Sequence, residues 1–135
     1  MRFEKSTSDN YITIKLLENK LDTRYAANLK SEFVAWHASG SRCLILNMSD
    51  VQYVDSSGLS AILTGNRLFE SSNGLVVMCC LNDHVQKLVT ISKLDSVLNI
   101  LPTEEESREA IFMHILQSEI EDEVAEEGEV ASSDM

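Results

Sequence analysis

The sequence predicts one α/β domain, a mixed β-sheet with helices packed against it, followed by an acidic C-terminal extension. Three observations carry this expectation. Two short apolar runs, Cys43–Met48 and Leu75–Cys80, read as strands buried on both faces, because a sheet covered by helices on each side loses the apolar–polar alternation. Between and around them, apolar residues recur at helical spacing, the mark of helices that bury one stripe. Strand and helix patterns also alternate along the chain, and right-handed crossovers then favour parallel pairing. With 135 residues, 44% apolar and 24% charged, the chain suits a single domain that needs no disulfide or metal support.

The elements follow in order. Tyr11–Leu17 alternates apolar and other residues through a β-branched stretch, and residues 2–5 are placed to pair with it across the polar turn Ser6–Asn10, giving an antiparallel opening. Leu21-Asp22 precedes a helix marked by Ala26, Leu29, Phe33 and Trp36 and stopped by Gly40. Asp22 is the expected N-cap, its carboxylate at the positive end of the helix dipole. Beyond the Cys43–Met48 strand, Asp55-Ser56-Ser57-Gly58 opens a second helix with Leu59, Ile62, Leu63 and Phe69 inward, and Ser56 or Ser57 is the expected cap. The strand Leu75–Cys80 leads to a short helix begun by Asn82-Asp83, then to a strand Val97–Leu101 ended by Pro102. Thr103 and Glu106 have the spacing of a capping box and open a last helix through Ile111, Phe112, Ile115 and Leu116. The domain is expected over residues 1–118.

The formal charge is −11, but eight of the 22 acids lie in residues 119–135, where there is no Lys or Arg, leaving 14 acids against 11 bases before them. The body is therefore near −3, and the acidic segment reads as a self-repelling, solvated extension. A solubilising tail is the plain interpretation and a docking arm for a basic partner the sharper one; nothing in the segment itself selects between them.

The acidic balance argues against direct nucleic-acid binding. The longest apolar run, Leu75–Leu81, is far short of the roughly 18 residues of a membrane span. The N-terminus carries no apolar stretch of the signal-peptide kind, so a cytoplasmic protein is expected. Cys43, Cys79 and Cys80 are odd in number and sit in apolar surroundings, as reduced, buried thiols do. No cofactor or metal is expected: phosphate-loop and dinucleotide-binding patterns are missing, and His37, His84 and His114 stand apart.

Asp50–Leu59 is the informative segment, placing an acid, two hydroxyls and a glycine between a buried strand and an amphipathic helix. One interpretation is a plain helix start with Gly58 easing the turn. A serine hydrolase using Ser56 or Ser57 with His84 is another, since loops at the carboxyl ends of parallel strands cluster; the G-x-S-x-G elbow is missing, however.

The run D-V-Q-Y-V-D-S-S-G-L-S-A-I-L, Asp50–Leu63, resembles the signature of the STAS domain family, whose best-known members are bacterial anti-sigma-factor antagonists. The order of elements over roughly residues 3–117 is similar too, and Leu21-Asp22 resembles a second family pattern, G-x-L-D. Asn19 stands where that pattern has Gly, and Ser60 where a small residue, often Gly, is common. The resemblance implies that Ser56 is phosphorylated and that Asp22, Asp55, Ser56, Ser57, Gly58 and Leu59 meet the partner. It further implies a non-enzymatic protein whose partners are an anti-sigma factor with serine kinase activity, which uses ATP, and a serine phosphatase. Unmodified protein would capture the anti-sigma factor and free the sigma factor. The alternative within the family is a non-phosphorylated docking subunit of a transporter or sensory complex.

Overall fold

The computed structural model describes residues 1–133, with side-chain surroundings through residue 124. The opening hairpin forms where the alternation places it: β1 (Phe3–Thr7) pairs antiparallel with β2 (Tyr11–Leu16), Phe3 opposite Leu16. A two-residue strand β3 (Lys20–Leu21) then leads into α1 (Thr23–Ala38). The buried run gives β4 (Cys43–Asn47), followed by β5 (Tyr53–Val54) and α2 (Ser56–Ser71). Next come β6 (Leu75–Cys79), α3 (Asp83–Ile91), β7 (Asn99–Leu101) and α4 (Glu104–Ser133). The main sheet has the order β1-β2-β4-β6-β7, antiparallel at β1 and parallel elsewhere, while β3 and β5 form a separate two-stranded ribbon.

The period-2 geometry of a strand sends alternate side chains to opposite faces. Leu44 and Leu46 of β4, with Val76 and Met78 of β6, meet Leu29, Phe33 and Trp36 of α1, Ile62 and Phe69 of α2, and Val85 and Val89 of α3. Cys43, Ile45, Val77 and Cys79 face the other way, where Ile111 and Ile115 of α4 cover them. Three helices thus lie on one face and one on the other, which explains why the central strands are apolar throughout. The three thiols are free, Cys43 and Cys79 buried and Cys80 half-buried. Burial pushes the Cys43 thiol up, and burial with the adjacent Cys80 thiol pushes Cys79 up to about 12, so both stay protonated at neutral pH.

The structure departs from the sequence reading in several places. The last strand is Asn99–Leu101 rather than Val97–Leu101, because the amides of Val97 and Leu98 both donate to the Leu94 carbonyl in a turn. The ribbon of β3 and β5 has no periodic signature at two residues a strand. Helix α4 continues to Ser133, so the acidic segment 119–135 begins within it, and residues 119–124 are all exposed. Among the described residues no helix is long and apolar enough to cross a membrane.

Two glycines let the helices close down. A Cβ on Gly65 of α2 would lie 2.4 Å from the Phe33 ring of α1, and one on Gly58 would lie 2.3 Å from the Leu21 carbonyl oxygen. Phe33 is buried between Trp36 and Phe69, and Leu21 is backbone held in the ribbon, so neither neighbour yields readily. Gly58→Ala is therefore expected to destabilise the fold by about 1–3 kcal/mol, the usual cost of overpacking. Urea unfolding should show a lower midpoint with an unchanged slope.

Candidate functional site

The ribbon builds the site. Its strands pair in parallel, Lys20 with Tyr53 and Leu21 with Val54, so the next residue on each strand is an aspartate, Asp22 on one and Asp55 on the other. The Asp55 amide donates to the Leu21 carbonyl at 3.2 Å, extending the pairing by one bond. Both aspartates then cap helices, Asp22 for α1 and Asp55 for α2, which places two helix N-termini side by side at one edge of the molecule.

Asp22 accepts the Arg24 amide at 3.0 Å, and its two carboxylate oxygens hold the Arg24 guanidinium at 3.1–3.3 Å. The hydrogen bond from that guanidinium is the main reason its carboxyl sits below the ordinary carboxylate range. One oxygen of Asp55 takes both the Ser57 hydroxyl at 2.6 Å and the Gly58 amide at 2.9 Å. The Ser57 hydroxyl, then the Gly58 amide, hold the Asp55 carboxyl low, with partial burial and, more weakly, the charge on Asp22 opposing them.

The cap of α2 is thus Asp55 and neither serine, a correction to the sequence reading. Asp55 has the extended backbone of an N-cap, φ −97° and ψ −178°, and an ionised carboxylate accepts amide hydrogens more strongly than a hydroxyl does. Ser56 and Ser57 become the first two helical residues, and their hydroxyls differ. Ser57 is half-buried and committed to Asp55. Ser56 is exposed, and among the described residues its hydroxyl has no side-chain hydrogen bond.

Gly58 and Leu59 lie behind this surface. Gly58 is buried against the Leu21 carbonyl and lacks the positive φ of a turn glycine, so close approach, not flexibility, demands it. Leu59 is 4% exposed and belongs to the main core. Of the six residues singled out from sequence, Asp22, Asp55, Ser56 and Ser57 form the surface; Gly58 and Leu59 hold it in place.

Two further residues, neither of them among the six, stand at the same edge. Tyr53 projects outward from β5, 42% exposed, and its ring stacks on that of His84 at the start of α3, with centroids 5.7 Å apart and planes at 20°. Asn82, the α3 cap, donates to the Gln52 carbonyl at 3.2 Å and ties that helix start to the loop before β5. The available signal was the pairing of an outward aromatic Tyr53 with an inward Val54, although two residues are too few to establish a period.

Asp22, Asp55, Ser56 and Ser57 lie on an open edge of the molecule. Ser57 is bonded to an aspartate, and among the described residues no hydrogen bond joins His84 to either serine. A concavity of about 690 Å³ lies among Leu81, Asp83, Asp95, Asn99 and Pro102 and includes none of the six residues.

Comparison with known proteins agrees with this architecture. The STAS domain family model matches residues 3–107, and the chain belongs to that family. A protein of Bordetella bronchiseptica strain RB50, provisionally named the anti-sigma factor antagonist BtrV, is 26% identical over 92 residues, 68% of this chain and 79% of its own. A crystal structure from Thermotoga maritima, also provisionally named an anti-sigma factor antagonist, superposes with a TM-score of 0.72 at 26% identity, covering 81% of this chain and 93% of that one. The fold is shared as well by the anti-sigma factor antagonist SpoIIAA. Its unphosphorylated form gives a TM-score of 0.63 at 18% identity over 82% of this chain and 97% of that one. The phosphorylated form, from Bacillus, gives 0.62 at 20% identity over 82% and 99%.

The Asp55 cap has a testable pH signature. Its carboxyl titrates lower in the folded protein than its unfolded value of about 3.9, so its stabilisation is fully present above that pH and is lost as pH falls through the folded value. Asp55→Asn keeps a competent cap without titrating, and should flatten the acid limb of the stability–pH curve. Asp55→Ala should cost about 1 kcal/mol at neutral pH. Urea unfolding between pH 2 and 7 reads both effects, at roughly the range where carboxylates titrate.

Proposed function

We propose that this protein is an anti-sigma factor antagonist switched by phosphorylation of Ser56. Unmodified, it binds an anti-sigma factor that carries serine kinase activity, through a surface comprising Asp22, Asp55, Ser56 and Ser57 with Gly58 and Leu59 behind them. Transfer of the ATP γ-phosphoryl group to the Ser56 oxygen, with loss of the hydroxyl proton and departure of ADP, releases it. A serine phosphatase restores the hydroxyl by hydrolysis. The chain supplies no catalytic group in this cycle, which operates in the cytoplasm and controls sigma-factor-dependent transcription. The switch lies in the 1–118 domain, with the acidic segment 119–135 outside it.

One observation carries the reading: Ser56 is exposed at the first position of α2 with its hydroxyl uncommitted, while Ser57 is held by Asp55. A phosphate on Ser57 would have to break that bond and crowd the same carboxylate. On Ser56 it adds about 1.5–2 negative charges at a helix N-terminus, where the dipole favours an anion by about 0.3–1 kcal/mol and the nearby carboxylates oppose it. No core side chain is disturbed, so the fold persists, as it does in the phosphorylated form of SpoIIAA. A partner surface covering Ser56 must instead desolvate a near-dianion next to Asp55, at a cost of several kcal/mol.

At about 3–4 kcal/mol, phosphorylation or a close mimic would weaken partner binding by some hundreds-fold. Incubation with the cognate anti-sigma factor and ATP, followed by mass spectrometry, should place one phosphate on Ser56. Ser56→Ala should bind without being modified, and Ser56→Asp should bind weakly in calorimetry. Phosphate reproducibly found on another residue would defeat the assignment. Binding indifferent to both substitutions would instead indicate a docking module without a switch. Tyr53→Ala should also weaken the complex, by about 1–2 kcal/mol if its ring is an aromatic anchor of the interface.

A further inference from the structure

Helix α4 has two apolar faces and only one of them is used. Ile111 and Ile115 pack on the sheet, while Phe112, Met113, Leu116, Ile120 and Val124 are 39–64% exposed. At about 100° per residue these five fall in one stripe about 120° wide, roughly opposite the packed side. A soluble helix seldom presents so long a contiguous apolar strip to water without something that covers it. Beside Phe112 the stripe meets a cavity of about 240 Å³ between α4 and the β1–β2 turn, lined by Tyr11, Ile111 and Ile115 together with Asp9 and Arg108, the latter ion-paired with Glu104 at 3.7 Å.

Charge decides what covers it. Glu109 and Glu123 share the angular sector of the stripe and Glu119 borders it, all three exposed, and the chain has no Lys or Arg after Arg108. A second copy laid along the stripe would bring these carboxylates against their equivalents, and an anionic lipid surface would repel them. A helix with an apolar face flanked by Lys or Arg satisfies both requirements, apolar contact along the centre and opposite charge at the margins. We propose that the outward stripe of α4 is a docking site for a basic amphipathic helix of another protein, separate from the Ser56 surface.

The test uses the full chain and a labelled peptide of about 18 residues, roughly five helical turns, composed of Leu and Lys with Leu at amphipathic spacing. A scrambled peptide of the same composition is the control. Fluorescence anisotropy should show the patterned peptide binding at least about tenfold more tightly than the scrambled one, with weakening at high salt. The exposed double substitution Ile120→Asp, Val124→Asp should erase the difference while leaving the circular dichroism and melting temperature unchanged. Glu119→Lys with Glu123→Lys, which leaves the stripe's apolar residues in place, should weaken binding. Ser56→Asp should leave it unaltered, which keeps the outcome independent of the phosphorylation switch. Equal binding of the two peptides, or peptide binding untouched by the stripe substitutions, would overturn the proposal. So would a concentration-dependent dimer in sedimentation that Ile120→Asp abolishes, or stripe-dependent adsorption to anionic lipid vesicles.

Discussion

The site rests on a pairing only two residues long. β3 and β5 lie in parallel with Leu21 beside Val54, and α2 leaves that ribbon so close to its neighbour that Gly58 has no room for a side chain against the Leu21 carbonyl. Together these contacts bring α1 and α2 out of the ribbon at the same edge. Two helix N-termini set side by side repel through their positive dipole ends, and the sequence meets each with its own aspartate. Asp22 and Asp55 stabilise the helix starts individually, and their shared position sets two caps at the edge that carries Ser56, with the Asp22 charge paired to Arg24.

That placement separates the stability of the fold from the chemistry of the site. The larger core holds Leu21, Val54 and Leu59 directly behind the surface, so the ribbon and the first turn of α2 are anchored by burial. Ser56 stands outside this packing. A change of roughly two charge units there acts on what approaches the surface, with little leverage on the buried residues beneath. The Ser57 hydroxyl has the opposite role: bonded to Asp55, it keeps that carboxylate ionised and aimed at the helix amides.

The layers are uneven in a way that bears on interaction. α1, α2 and α3 share one face of the sheet, and their apolar stripes are consumed by it. α4 alone covers the second face, contributing Ile111 and Ile115, and much of its remaining surface stays open. A helix in that position can satisfy the sheet and still offer a second apolar surface well away from Ser56, so the domain has room for two contacts of different chemistry.

From its sequence alone, the protein's α/β class, the hairpin and the central strands could be read, because burial on one or both faces writes a period of two or an unbroken apolar run. The helix starts at Asp22, Asn82 and Thr103 were also apparent, since capping is a local matter of side-chain reach. The resemblance carried by Asp50–Leu63 pointed to Ser56. Only the tertiary structure decided that β3 and β5 pair, for two residues have no period and their partners lie 33 positions apart in register. From that pairing followed the choice of Asp55 over the serines as cap, the steric demand at Gly58, the inward place of Leu59 and the stacking of Tyr53 on His84. Each depends on which backbone comes near which, and that is settled by the packing of the whole core.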